Sequence, residues 1–176
     1  MGINFWLAQV MAILGILCNI VAMQLNKKKH IMLFYILANW LFAVNFTLLN
    51  AYSGAIICFV AGFETFINNI FDFHHKKVPN WLIAIYIMIS IGLGCWTFNK
   101  FIDVLPIMAS IVYIFLINLK KESAIRKFTL MNISLWIIYD FSVKSYSAGI
   151  NDFLLILSTL IGIYRYDIKK EKGENK

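Results

Sequence analysis

The sequence predicts an all-α, polytopic membrane protein of seven transmembrane helices, and three observations lead there. Of its 176 residues, 61% are hydrophobic and only 14% charged, too little polar surface for a soluble globule of this size. The apolar residues gather into seven segments of about 16–20 residues, which at ~1.5 Å rise per residue cross most or all of a ~30 Å hydrocarbon layer. The 16 Lys and Arg alternate between the gaps. One side holds fourteen of them, namely Lys27, Lys28, Lys29, Lys76, Lys77, Lys120, Lys121, Arg126, Lys127, Arg165, Lys169, Lys170, Lys172 and Lys176; the other holds only Lys100 and Lys144. That is a positive-inside pattern with the N-terminus outside and the C-terminus in the cytoplasm. A wrong helix count would scramble the alternation, so count and orientation support each other.

The first segment, Phe5–Leu25, is preceded by no basic residue and followed by Lys27–Lys29, which reads as an anchor rather than a cleaved signal peptide. Its Gln9, Ala12, Gly15 and Asn19 share one face. The second, Ile31–Leu49, carries Asn39 with Trp40 on one side and Asn45 on another. A tight turn leads to the third, Tyr52–Phe71, where Gly54, Ala61, Glu64, Thr65 and Asn68 form a small and polar stripe. Asp72, His74, His75, Lys76 and Lys77 follow in a loop expected to be solvated, because adjacent His side chains diverge and zinc would need ligands from elsewhere. The fourth segment, Trp81–Phe98, is plainly apolar, and the fifth, Val104–Leu119, contains Pro106, a residue that can kink a membrane helix.

In the sixth segment, Phe128–Val143, Asn132, Trp136, Tyr139 and Asp140 lie to one side, and Lys144 follows Asp140 at the spacing of an ordinary i,i+4 pair. In the seventh, Gly149–Ile168, Asp152, Thr159 and Gly162 share a face with Ser158 at its edge. Arg165 is expected to snorkel to lipid phosphates, some ~20 Å along the helix from Asp152 and so unpaired with it. Trp6, Trp81, Trp96 and Tyr166 fit interfacial anchors. Cys18, Cys58 and Cys95 fall inside helices without paired spacing and read as buried thiols, with neither disulfides nor zinc implied.

The chain also repeats itself. An offset of 94 residues lays Leu41-Phe42 over Leu135-Trp136 and Tyr52-Ser53 over Tyr146-Ser147, and brings the basic loops into register. The organisation expected is a single membrane domain over 1–176: a triple-helix repeat at 5–71, a linker helix at 81–98, a second repeat at 104–168 and a cytoplasmic tail at 169–176. Because each triplet is odd, the linker must cross the membrane for both copies to insert alike, giving a parallel 3+1+3 repeat.

This architecture resembles that of the SWEET and PQ-loop transporters, although their Pro-Gln pair is replaced by Ala8-Gln9 in the first helix. A second resemblance spans nearly the whole chain. Trp6-Leu7-Ala8-Gln9, Leu105-Pro106, Trp136-Ile137-Ile138, and Asp152 with Arg165 thirteen residues on are similar to the pattern of the YgjV-type bacterial inner-membrane protein family. That pattern suggests an Asn and a nearby basic residue where this chain has Ala61 or Gly62 and Glu64, and an Asn at about Thr159. The resemblance implies an inner-membrane location and no particular chemistry.

The +7 net charge lies in short loops and the tail, where it meets anionic lipid at the cytoplasmic face, so no nucleic-acid partner is expected. No Gly-rich phosphate loop, helical His-Glu pair or activated nucleophile occurs, so neither an enzyme nor a cofactor is expected. An ionisable group inside the bilayer costs roughly 2.5–3.5 kcal/mol on insertion scales, which singles out Glu64, with no Lys or Arg within a turn of it. Two readings are open for it: a coupling or binding carboxyl facing a central cavity, and a protonated packing group. The functional expectation is a permease-like facilitator of a small polar solute, with Glu64 as its carboxyl. Asn68, Asn19, Thr159 and Ser158 would be neutral partners, Trp136 a stacking wall and Asp140 a weaker candidate. The alternative is a non-transporting scaffold or regulatory protein, in which Glu64 and Asn68 face a neighbouring helix with no cavity beside them. Oligomerisation is open, since seven helices can supply a complete path.

Overall fold

The structure, a computed structural model, describes residues 3–25, 28–74, 76–119 and 122–164. These form seven α-helices: α1 Ile3–Gln24, α2 Lys28–Leu48, α3 Tyr52–Phe73, α4 Asn80–Trp96, α5 Val104–Asn118, α6 Glu122–Ser142 and α7 Tyr146–Ile163, with one 3-10 turn at Phe101–Asp103. Helices α2, α6 and α7 begin earlier than their apolar runs, because backbone hydrogen bonding continues into polar flanks that lie beyond the hydrocarbon. Four stretches, Ile3–Ala22, Lys29–Leu48, Tyr52–Phe73 and Phe101–Asn118, are long and apolar enough to cross a membrane, while α4 and α7 are apolar but shorter. The apolar part of α6 follows the charged Arg126 and Lys127. The expected snorkelling of Arg165, the anchor Tyr166 and the end of the seventh segment lie outside the described residues.

Six of the helices close a ring: α1 packs on α2, α2 on α3, α3 on α5, α5 on α6, α6 on α7, and α7 on α1. Helix α4 stands outside it, against α3 and α5. One core cluster joins Ala22, Met32, Tyr35, Leu116 and Ile117; another joins Ala43, Phe46, Ala55, Cys58 and Tyr139. The outer faces carry exposed Leu14, Leu17, Phe59, Phe63, Phe66, Leu154 and Leu157, the surface a hydrocarbon solvent favours. Cys58 is buried as expected, whereas Cys95 is exposed on the outer face. Pro106 sits in the first turn of α5, so it opens the helix as Leu105-Pro106 suggested, and its missing N–H has no intrahelical partner to lose.

The α2–α3 and α6–α7 turns share one design. Each has a non-glycine residue with positive φ, Asn50 at 57° and Lys144 at 63°. Each closes its helix with a Schellman pair: Ala51 N–H to Phe46 O at 2.9 Å with Asn50 N–H to Thr47 O at 3.1 Å, and Ser145 N–H to Asp140 O at 2.8 Å with Lys144 N–H to Phe141 O at 3.3 Å. Every one of these atoms pairs with its counterpart at an offset of 94 residues. So do the ends of α1 and α5, both limits of α2 and α6, and the starts of α3 and α7.

Three side chains tie the halves together at this turn end. Asn45, wholly buried, donates to Ala8 O at 2.8 Å and accepts from Ser145 Oγ at 2.9 Å. Gln9 Oε1 accepts the Ser147 N–H at 2.9 Å, and Tyr139 Oη accepts the Gly54 N–H at 3.0 Å. Those two N–H groups stand in the first turns of α7 and α3, where no carbonyl of their own helix can reach them.

Candidate functional site

Inside the ring is a cavity of about 100 Å³, and all six ring helices line it. Asn19 comes from α1; Tyr35, Asn39 and Phe42 from α2; Cys58 and Ala61 from α3; Ser110 and Tyr113 from α5; Thr129, Asn132, Trp136 and Asp140 from α6; Asp152 from α7. Thr129 and Asp140 are eleven residues apart on one helix, so the cavity runs about 16 Å along the bundle axis. Its volume holds roughly three waters at ~30 Å³ each, or a solute of a few heavy atoms.

At the turn end of the cavity two carboxyls meet. Asp140 is 2% and Asp152 8% exposed, and both line the cavity with their carboxyls within hydrogen-bonding range of each other. Two carboxyls this close in a buried space repel as a pair of charges, an arrangement that favours one shared proton. The other Asp140 oxygen, Oδ1, is buried and has no hydrogen-bond partner. Asp140 occupies the helix position whose carbonyl the Ser145 N–H caps, so the Schellman turn itself sets where the carboxyl stands. Among the described residues no Lys, Arg or His lines the cavity.

Beyond the carboxyls an aromatic cluster stands between this cavity and a second hollow. The Tyr139 ring, fully buried, packs edge-on against Phe46 at 5.6 Å and Trp136 at 5.8 Å between centroids. Phe46 and Trp136 line the cavity, while Tyr139 lines a second hollow of about 270 Å³ on the outer side, with Asn50, Asn99, Lys100, Asp103 and Lys144. Toward the basic end the polar groups are mostly satisfied. Asn39 Nδ2 donates to Tyr113 Oη at 3.0 Å, Thr65 Oγ1 lies 2.8 Å from the same phenol, and Asn132 Nδ2 donates to Ala109 O at 2.7 Å. The Thr129 hydroxyl is buried without a partner.

Of the residues singled out in the sequence, Asn19, Trp136 and Asp140 line this cavity, and Glu64, Asn68, Ser158 and Thr159 do not. Glu64 and Asn68 are 2% and 1% exposed, but they face α4. Ser90 Oγ donates to Glu64 Oε1 at 3.5 Å, and Tyr86 Oη donates to Asn68 Oδ1 at 3.3 Å. Helix α3 touches α2, α4 and α5, so its polar stripe is divided, with Ala61 turned to the cavity and Glu64 to α4. Thr159 returns its proton to Leu155 O at 2.7 Å, and Ser158 lies on the exposed face. The ordinary Asp140–Lys144 pair is not formed: α6 ends at Ser142, and Lys144 leaves the helix with positive φ and is exposed.

Sequence reasoning placed Asp152 on a polar face yet left it out of the site. The available signal was the tight turn, which folds the two acids twelve residues apart toward one another. Among the described residues no group of three or more His, Cys, Asp or Glu could hold a metal. His74 is exposed, and His75 lies outside the described residues.

No curated protein and no solved structure matches the chain. A family model described as bacterial inner membrane protein matches residues 6–170, nearly the full length of a chain whose apolar helices suit a multi-pass membrane protein. The chain therefore belongs to the Imp-YgjV family of bacterial inner membrane proteins.

Proposed function

We propose that the protein is a permease-like facilitator that moves a small polar solute through the central cavity, with Asp140 and Asp152 in the role the sequence suggested for Glu64. One observation carries this reading: a single cavity lined by all six ring helices, with ionisable groups inside it and none of the linker helix. A packing scaffold has no use for buried carboxyls in a gap, since each is costly in hydrocarbon.

The repeat belongs to the same proposal. Exchanging α1–α3 for α5–α7 leaves the order of packing around the ring unchanged, and the two turns coincide atom for atom at the 94-residue offset. Both support a parallel 3+1+3 arrangement with α4 as linker, which agrees with the resemblance to SWEET and PQ-loop transporters. The alternation of Lys and Arg supports an N-terminus outside and a C-terminus in the cytoplasm, with the basic loops against anionic lipid.

The scaffold reading draws on a different observation: Glu64 and Asn68 do face a neighbouring helix rather than a cavity. The two are separated by thermal stability of the detergent-purified protein across sugars, amino acids, nucleosides and polyamines at acid and neutral pH. A solute that raises the Tm of wild type but not of Trp136→Ala or Asn132→Ala binds the cavity, because only native-state binding stabilises. Reconstituted uptake of that solute then tests movement. If none stabilises the protein and both variants keep its full stability, the cavity is a packing fault and the scaffold reading stands.

A further inference from the structure

We propose that the cavity is a site for a small monovalent cation, an alkali ion or a primary ammonium, which exchanges with the proton shared by Asp140 and Asp152. This rests on the reading of the cavity as a solute site and names the class of solute.

The geometry points to a cation on four grounds. Two carboxyls touch at one end of the cavity, and Asp140 Oδ1 is buried there with an unused lone pair. At the other end Thr129 Oγ1 is likewise buried and unpartnered. No Lys, Arg or His among the described residues lines the space to offset the acids. Trp136 and Phe46, stacked on each other at 5.6 Å between centroids, both line the space, and an aromatic ring can attract a cation. A neutral solute could donate to Asp140 Oδ1, but it would leave any carboxylate charge uncompensated where the dielectric is low.

The groups surrounding the pair are few. Helix α3 brings the Cys58 thiol beside both acids, and α6 brings the Tyr139 phenol, which Asp103 approaches from the 3-10 turn. Between them α1 and α2 carry only Cys18, Lys28, Lys29, His30 and Tyr35 as titratable groups, none at the turn end. From α5 comes Tyr113, bonded to Thr65 and Asn39. Lys100 and Lys144 line the outer hollow beyond Tyr139. Among the described residues, therefore, no Lys, Arg or His shares the space with the pair.

The exchange conserves charge. The pair with one proton has charge minus one; a bound cation displaces that proton to water, and two carboxylates with the cation again total minus one. No bond other than the O–H bond is broken. Two consequences follow: binding releases about one proton per protein, and apparent affinity rises about tenfold per pH unit wherever the pair still holds its proton.

The experiment is proton release from weakly buffered, detergent-purified protein, read with a pH dye, on adding sodium, potassium or ethylammonium chloride. N-methylglucamine chloride, too large for the cavity, controls for ionic strength. Release of about one proton by at least one small cation, saturating and with the tenfold dependence on pH, is the expected result. It should vanish in Asp140→Asn and Asp152→Asn, which keep an amide-to-carboxyl hydrogen bond, and persist in Glu64→Gln. The pattern across the three salts tells an alkali-ion site from an ammonium site. No saturable release from wild type with any salt overturns the proposal, and that arm needs no variant to fold. Release that survives both Asn variants overturns it too. A neutral solute that stabilises wild type and Asp140→Asn alike would leave the facilitator reading standing without this one. Saturable release with no cation flux in proteoliposomes would leave the site and remove the facilitator.

Discussion

Replacing Gly54 with Ala tests whether Tyr139 is a fixed plug above the cavity. A Cβ at Gly54 would lie 2.6 Å from Tyr139 Cε1, 3.0 Å from its Oη and 3.2 Å from Phe46 Cγ. The phenol is fully buried against Phe46 and Trp136, so swinging it toward the outer hollow that it lines would give up both ring contacts. Overpacking of this kind costs about 1–3 kcal/mol. Displacing the ring also weakens the Gly54 N–H bond to Tyr139 Oη, at 3.0 Å, a bond with a net value of about 1 kcal/mol and with no water to replace it. The better helix propensity of Ala returns less than about 1 kcal/mol at a first-turn position. The expected net loss is about 2–3 kcal/mol, from the overpacking and hydrogen-bond magnitudes together.

The assay is reversible unfolding in mixed micelles by rising SDS fraction, run as a cycle with Tyr139→Leu, whose side chain lacks the clashing atoms. In that background Gly54→Ala should be nearly neutral, giving a coupling energy of about 2 kcal/mol between the two positions. Additivity within about 0.5 kcal/mol would refute the reasoning, since it would mean that Tyr139 is not the obstacle.

Other substitutions probe the frame that holds the plug. Lys144→Gly should raise stability by about 1 kcal/mol, since a lysine at φ 63° carries the Cβ strain of the left-handed region; Asn50→Gly should gain less, because Asn tolerates that region, and thermal melts of the two compare them. Asn45→Ala removes the bonds to Ala8 O and Ser145 Oγ and should cost about 1–3 kcal/mol in the same SDS titration. Gly92 has nothing within 4 Å of an added Cβ, so Gly92→Ala should be neutral or stabilising by up to about 1 kcal/mol in a thermal melt. A loss there would mean that α4 packs against something beyond this chain.

The helices were legible because two signals agreed: the apolar runs marked what suits hydrocarbon, and the basic residues gathered in alternate gaps between those runs. The limits of α2 and α6 were less so. A run stops at the first charge, whereas a helix such as Glu122–Ser142 continues until its backbone finds a cap. The site was only partly legible, for a geometric reason. A lone charge such as Glu64 announces burial, but a helix face covers about 100° and several neighbours share it. Nothing in the sequence says which side of the stripe meets α4. Asp140 reads as the weaker candidate because Lys144 stands four residues on as an ordinary partner, whereas Lys144 is the αL residue that returns the chain and brings Asp152 near Asp140.

The offset that relates the two turns also relates the walls of the cavity, and it shows where the halves part company. Asp140 corresponds to Phe46 and Asp152 to Cys58, each pair 94 residues apart and all four lining the same space. Tyr139 corresponds to Asn45, and each reaches across the ring to hold the other half's tight-turn region: Asn45 through Ser145 and Tyr139 through Gly54. The turns and helix limits thus match at one offset, while the carboxyls lining the cavity are confined to α6 and α7. A cation held by these acids would sit off the axis, against one half, with an apolar and thiol wall opposite. In such a cavity the acidic half can keep its ligand while the Phe46–Cys58 wall moves past it, because that wall offers no fixed charge to be separated from the ligand. On the proposed reading of the cavity as a cation site, this asymmetry assigns binding to α6 and α7 and leaves α2 and α3 without a charge to hold the ligand.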